Sequence, residues 1–246
     1  MDFISGETIC VDKPKGWTSF DAVKRLRGAI QRRLRLKRFK VGHAGTLDPL
    51  ATGVLIVCTG RATRGIDALQ NSTKEYIATL RLGATTPSFD LETAVDATYP
   101  TDHITREMVE EALPRFTGRI MQVPPVFSAV KVDGKRAYKL ARKGREVELK
   151  AKPLQIDEIE LMEFSPEEIV IRVVCSKGTY IRALARDIGE ALGSGAHLTD
   201  LRRTRVGAYT LDRAMQIDEA LRAIDTCTLE FPADYLLPGG DAPEGE

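Results

Sequence analysis

The chain has 246 residues, 43% apolar and 29% charged, with Lys+Arg 36 nearly balanced by Asp+Glu 35. That length and composition suit a soluble globular protein with an ordinary core and exclude a fibrous or intrinsically disordered one. No apolar run approaches the roughly 20 residues a bilayer span requires, and MDFISGETICVDKPKG lacks the basic-then-apolar layout of a secretory signal, so the expectation is a cytoplasmic protein with no membrane partner.

Thr18 opens a T-x-x-D pattern closed by Asp21, and Phe20, Val23, Leu26 and Ile30 follow at near-helical spacing, which predicts a capped amphipathic helix over 19–31. Its other face is basic: nine Lys or Arg and no acid occupy 22–47. The loop VGHAGTLDPLATG, punctuated by Gly42, Gly45, Pro49 and Gly53, then leads into a short apolar strand over 54–59. Residues 62–70 read as a helix, and 74–82 as an alternating strand with Tyr76, Ala78, Leu80 and Leu82 on one face. Thr105 caps a helix carrying Met108, Val109, Ala112, Leu113 and Phe116, which Pro114 should bend or shorten. Asp133-Gly134 signals a tight turn inside a basic excursion whose KRAYKLARKG looks helical. Strands over 155–163 and 169–175 precede a helix within TYIRALARDIGEALG, striped by Ile181, Leu184, Ala185, Ile188 and Leu192 and stopped by Gly193. A strand near 206–210, a helix near 217–224 and a disordered tail complete the reading. Hairpins interleaved with helices predict an α+β fold on a mixed, largely antiparallel sheet.

The charges are segregated: a second basic cluster spans 131–152, a third is Arg202, Arg203 and Arg205, and the acids gather at 157–168 and in the tail. This pattern fits a polyanionic partner, or else ordinary solvated faces. The four cysteines and three histidines are dispersed singly, so buried free thiols are expected and no metal site is. The glycine-bearing loop has neither a P-loop ending nor a dinucleotide fingerprint, which disfavours nucleotide hydrolysis. It does present one carboxylate, Asp48, beside Pro49. By spacing alone that Asp-Pro pair reads first as a turn.

GHAGTLDPLATGVLIVCTGRATR at 42–64 closely resembles the catalytic motif of the TruB family, the tRNA pseudouridine(55) synthases. KEYIATLRLG at 74–83, VPPVFSAVKVDGKRAYKLAR at 123–142 and CSKGTYIRALARDIGEALG at 175–193 resemble further family motifs in the family's order, and the resemblance runs from KPKGWTS at 13–19 to LTDLRRTRVG at 198–207. It implies the pseudouridine synthase fold and the conversion of uridine to pseudouridine at position 55 in the T loop of tRNA, with no cofactor. Asp48 is then the carboxylate that initiates the rearrangement, Tyr76 the platform that stacks on the target base, and Arg182 the partner of the aspartate. His43 is implied to fill the gap left in the loop, Asp90 and Tyr180 to lie near the active site, and Leu201 to wall the base pocket. Four of these have a plainer alternative: a core tyrosine for Tyr76, a surface arginine for Arg182, a turn-capping histidine for His43, a core residue for Leu201.

The chemistry fits those roles. The N1–C1′ bond breaks, the uracil turns, and C5 joins C1′, without net redox change. The carboxylate can act as nucleophile on the nucleotide or as base toward a ribose proton, and both routes need it charged, which an adjacent guanidinium favours. The excursion at about 124–152 resembles the family's RNA-gripping insertion. A single catalytic domain over 1–236 with a short tail, 237–246, is expected, since the stretch after Leu211 is shorter than the roughly 50 residues of a small independent domain. The expected partner is the T arm of tRNA, without guide RNA, and the expected state is a monomer. The alternative function is a tRNA-binding folding helper in which catalysis is secondary.

Overall fold

The computed structural model describes residues 1–128, 130–132, 134–141, 147–233 and 235. Ten strands form one sheet: β1 (Thr8–Lys13), β2 (Val41–His43), β3 (Thr52–Thr59), β4 (Lys74–Leu82), β5 (Gly118–Gln122), β6 (Lys152–Phe164), β7 (Glu168–Cys175), β8 (Ala196–Val206), β9 (Tyr209–Thr210) and β10 (Met215–Gln216). The order is β10-β1-β3-β8-β4-β7-β6-β5, with β2 also on β3 and β9 also on β8. Pairings are antiparallel except β1 with β10 and β3 with β8. The helices are α1 (Ser19–Arg33), α2 (Ile66–Asn71), α3 (Arg106–Ala112), α4 (Ala137–Ala141), α5 (Ile181–Ala191) and α6 (Ile217–Thr226). No helix among the described residues is long and apolar enough to cross a membrane. The α+β class and the largely antiparallel sheet follow the sequence reading.

The sheet is two half-sheets joined at a narrow seam. The β3–β8 contact consists of two parallel pairs, Thr52 with Arg202 and Gly53 with Arg203. On one side of the seam β3 is buried on both faces, which is why it reads as a continuous apolar run. Leu55 and Val57 pack with Val23, Leu26 and Ile30 of α1 and Ile224 of α6, while Val54, Ile56 and Cys58 pack with Cys10 and Val206. On the other side, the α5 stripe of Ile181, Leu184, Ala185, Ile188 and Leu192 covers Tyr76, Ala78, Leu80 and Leu82 of β4.

Several element ends are as the sequence predicts. Thr18 and Asp21 form a reciprocal capping box on α1; Thr105 caps α3, which gives way to 3₁₀ geometry at Leu113–Phe116 around Pro114; Gly193 ends α5 at φ +66°. Other expectations need correction. The helix over 62–70 is 3₁₀ through Gly60–Gly65 and α-helical only through Ile66–Asn71. The strand placed near 206–210 is a turn from the end of β8, at Val206, into β9, and the long strand before it is absent from the sequence reading. A register shift between Leu198 and Asp200 lets Leu198 and Leu201, three apart, both be buried, and this hides the period-two signature. The strand β1 was not foreseen. Cys10, Cys58 and Cys175 are buried thiols, but Cys227 is half-buried. Asp133, residues 142–146 and the tail 237–246 lie outside the described residues; Lys131–Val132 pairs antiparallel with Lys135–Arg136, and α4 follows.

At the seam, Gly53 has φ +103°, and a Cβ there would lie 2.1 Å from the Arg203 carbonyl oxygen. Glycine is therefore required both by conformation and by the approach of β8. Gly53→Ala is expected to destabilise the fold by more than about 2 kcal/mol, whereas Gly65→Ala, which meets open space at an ordinary φ, is expected to be near neutral; urea denaturation of the two variants checks the contrast.

Candidate active site

The loop between β2 and β3 carries Asp48 across the seam and is pinned on both flanks. Leu47 and Ala51 are buried in the core of the opposite half-sheet. The buried Ser19 hydroxyl donates to the Leu47 carbonyl (3.1 Å) and accepts from its N–H (2.8 Å). The Pro49 carbonyl accepts from the Gly16 N–H (2.8 Å) and, at 3.4 Å, from the Lys13 ammonium, which also donates to the carbonyls of Pro14 (2.9 Å) and Trp17 (2.6 Å). Lys13 is fully buried, and that burial pulls its pKa down to about 8 against the attraction of Asp48.

Arg182, second residue of α5, is 5% exposed at its side chain and faces Asp48, which is 41% exposed. Its Nε donates to Asp48 Oδ2 at 2.9 Å, Nη1 to the Ser88 carbonyl at 3.2 Å and Nη2 to the Phe127 carbonyl at 3.1 Å. Asp90 Oδ2 lies 3.6 Å from the same Nε, while its Oδ1 accepts from the Glu92 N–H at 2.9 Å. A guanidinium buried this far must be both hydrogen-bonded and charge-compensated, and here two carboxylates and two carbonyls serve it. Phe89, between Ser88 and Asp90, adopts φ +61°, a costly conformation for an aromatic residue, and is held there by its carbonyl accepting from Leu198 N–H (2.9 Å) and by Arg186 stacked over its ring (4.8 Å).

Asp48 opens onto a cleft of about 970 Å³ lined also by His43, Tyr76, Asp90, Tyr180, Arg182 and Leu201. The structure thus gathers all seven sequence-predicted residues around one cavity, from both half-sheets. Tyr76 is buried, which holds its phenol above the ordinary pKa while Arg203 pulls the other way. Tyr180 stands at the N-cap position of α5 without a side-chain capping bond, its N–H donating to Gln122 Oε1 (2.9 Å) and its carbonyl accepting from Gln122 Nε2 (3.2 Å). His43 Nδ1 is buried without a hydrogen-bond partner among the described residues.

Sequence reasoning missed four contributors: Lys13, Ser19, Gln122 and Arg203. The last is 1% exposed, donates to the carbonyls of Val54 (2.8 Å) and Gly45 (3.2 Å), and reaches the Tyr76 hydroxyl. A signal existed, since Leu201 and Arg203 share a strand face by parity. The reading of Arg202, Arg203 and Arg205 as a polyanion cluster is corrected: Arg203 is internal, Arg202 pairs with Asp12 at 2.7 Å and Arg205 lies 3.6 Å from Glu75.

The sequence model of the TruB family pseudouridylate synthase N-terminal domain matches residues 31–181, more than half of the chain. The chain belongs to the TruB family. A second match, to the tRNA pseudouridylate synthase B C-terminal domain, covers 182–238; the boundary falls inside α5, so this division of the TruB sequence is not a division of the sheet. Similar proteins include tRNA pseudouridine synthase B of Parabacteroides distasonis, 68% identical over 219 residues (89% of this chain, 93% of that protein), and that of Mycobacterium leprae, 45% identical over 240 residues (91% and 73%). Among solved structures, a chain of a Cbf5–Nop10–Gar1 complex aligns with TM-score 0.67 at 32% identity and one of the archaeal box H/ACA Nop10–Cbf5 complex with TM-score 0.63 at 30% identity; each alignment covers 90% of this chain, which spans only 55% and 54% of those longer chains.

Burial lowers the His43 pKa, Arg203 adds to the effect, and the Gly45 backbone opposes it. The imidazole is therefore neutral at pH 7. Because the unfolded chain takes up this proton first, the stability tied to His43 is complete above pH 6.5 and declines as the pH falls toward the folded-state value. An NMR titration of the His43 ring should show a midpoint below 6.5; a midpoint at or above it would contradict the burial described.

Proposed function

We propose that this chain converts the uridine at position 55 in the T loop of tRNA to pseudouridine, with Asp48 as the initiating carboxylate, and that it does so in the cytoplasm as a monomer without guide RNA. The observation that carries the reading is the Arg182–Asp48 pair, 2.9 Å apart on the floor of a cleft large enough for a flipped nucleotide. The naming of similar proteins as tRNA pseudouridine synthase B supports tRNA as substrate. Asp48, Tyr76 and Arg182 line one cleft within a single chain, which supports a stand-alone monomer.

A stacked uridine cannot reach Asp48, so it must leave its stack at a cost of about a few kcal/mol. The Tyr76 ring and the Leu201 side chain offer it an aromatic and an apolar wall; stacking on an aromatic contributes roughly 1–3 kcal/mol. Neutral His43 can occupy the space the base vacates without carrying a buried charge there. Arg182 holds one oxygen of Asp48, Oδ2, through Nε, and Asp48 lines the cleft. A carboxylate oxygen of Asp48 either attacks the nucleotide or takes a ribose proton. The N1–C1′ bond breaks, the uracil rotates between its walls, and C5 bonds to C1′ as Asp48 is released from the nucleotide or returns the ribose proton; C5 then loses its proton and N1 takes one up, so the product is an isomer. Asp90, Tyr180 and Gln122 fix the frame around the guanidinium.

Tritium release from tRNA labelled at uridine C5 is expected from the wild type and to fall at least about a thousandfold in Asp48→Asn, with tRNA binding kept within a few-fold. Undiminished release by Asp48→Asn would end the mechanism. Tight binding with no release by either protein would move the function to tRNA folding alone. Tyr76→Leu is expected to lower kcat/KM by roughly 5- to 150-fold, the equivalent of one lost stacking contact.

A further inference from the structure

The basic face of α1 and the chain that returns from it remain unused by the reaction. Helix α1 begins at the cleft, where Thr18, Ser19 and the exposed Phe20 line the wall. It runs about 22 Å away at 1.5 Å per residue. Residues 34–40 then come back, tied by Gln31 Nε2 to the Lys37 carbonyl (2.9 Å) and by the Gly60 N–H to the Lys40 carbonyl (2.9 Å), and enter β2, whose last residue, His43, is again in the cleft. Lys24, Arg25 and Arg32 on the helix and Arg35, Lys37 and Arg38 on the return are all exposed, and among the described residues no carboxylate lies within ion-pairing distance of them. Arg172 shows the opposite treatment, with Glu75, Glu158 and Glu160 around it.

Two positions on this strip go against the helix's own preferences, in opposite directions. Gly28 sits in the interior of α1, where glycine is destabilising relative to alanine, yet nothing internal demands it: its φ is ordinary and a Cβ would meet only the flexible tip of Arg32 at 3.9 Å. Arg35, just past the C-cap, holds φ +54°, the left-handed position where glycine is preferred. A side chain is missing where one would stabilise and a charged one is kept where it strains. Local rules are broken in this way at functional surfaces, and both departures suit an anionic backbone that approaches the helix at Gly28 and is gripped by the cations around it.

We propose that this strip binds the phosphate backbone of a helical segment of the substrate RNA lying beyond the arm that enters the cleft. The inference rests on the T-loop assignment above. RNA duplex is recognised chiefly through shape and backbone contacts, and each phosphate neutralised contributes about 0.7–0.9 to the salt dependence of binding.

The test compares intact tRNA with an isolated T-arm stem-loop, each titrated across a range of salt. For the variant with Arg32, Arg35, Lys37 and Arg38 all changed to Ala, tRNA affinity should fall at least tenfold and the salt slope should lose about three, while stem-loop affinity changes less than twofold. Gly28→Gln and Arg35→Gly separate the effect from folding: each should raise the Tm by about 2 °C and still weaken tRNA binding several-fold. Unchanged tRNA affinity, or an equal loss for the stem-loop, overturns the proposal. A wild type that neither binds nor modifies the stem-loop refutes the T-loop assignment instead.

Discussion

A guanidinium taken out of water has five N–H groups and a charge that must all be answered by the protein, and the site is arranged around meeting that demand for Arg182. The Ser88 carbonyl reaches it because Phe89 accepts a left-handed backbone. The Phe127 carbonyl brings in the start of the basic excursion. Asp48 completes the set from across the seam. Breaking a buried ion pair leaves an uncompensated charge at a cost of about 3–5 kcal/mol, discounted here because Asp48 is partly solvated. The same contact that we propose orients the carboxylate for chemistry therefore also helps to hold the loop in place.

Arg203 plays the complementary part. Where Arg182 reaches Asp48, Arg203 joins Val54 of β3 to Gly45 of the loop and touches the Tyr76 hydroxyl. Its charge makes the protonated forms of His43, Lys13 and Lys74 less favourable, although burial is the larger cause in each. One internal cation thus fixes loop geometry and adds to burial in disfavouring the charged form of the His43 imidazole.

Much of this was legible in the residues. The capping box at Thr18, the α5 stripe and the β4 alternation are period and cap signals that depend on neighbours in sequence, and they survive folding unchanged. The motif resemblance pointed to Asp48, Tyr76 and Arg182, which no periodicity could have linked. What stayed hidden depended on contacts between distant segments. The register shifts in β8 scrambled its parity, so a long central strand carried no sustained alternation. Arg203 was indistinguishable from Arg202 and Arg205 by composition, and its parity with Leu201 becomes readable only once the strand itself is recognised. Ser19 and Gln122 act through hydrogen bonds to segments 28 and 58 residues away, beyond any local pattern.

The seam has a consequence for when the protein becomes competent. Asp48 and His43 are delivered by one half-sheet, and Tyr76, Asp90, Arg182 and Leu201 by the other, with two residue pairs of β3 and β8 joining them. Strand β8 is nearly the last part of the sheet to be synthesised, so neither half can assemble a working site while the chain is still emerging. Activity is the product of late, long-range closure, since the half that carries Asp48 also waits for Ile217, Ala220 and Ile224 of α6, which follow β8 in the chain.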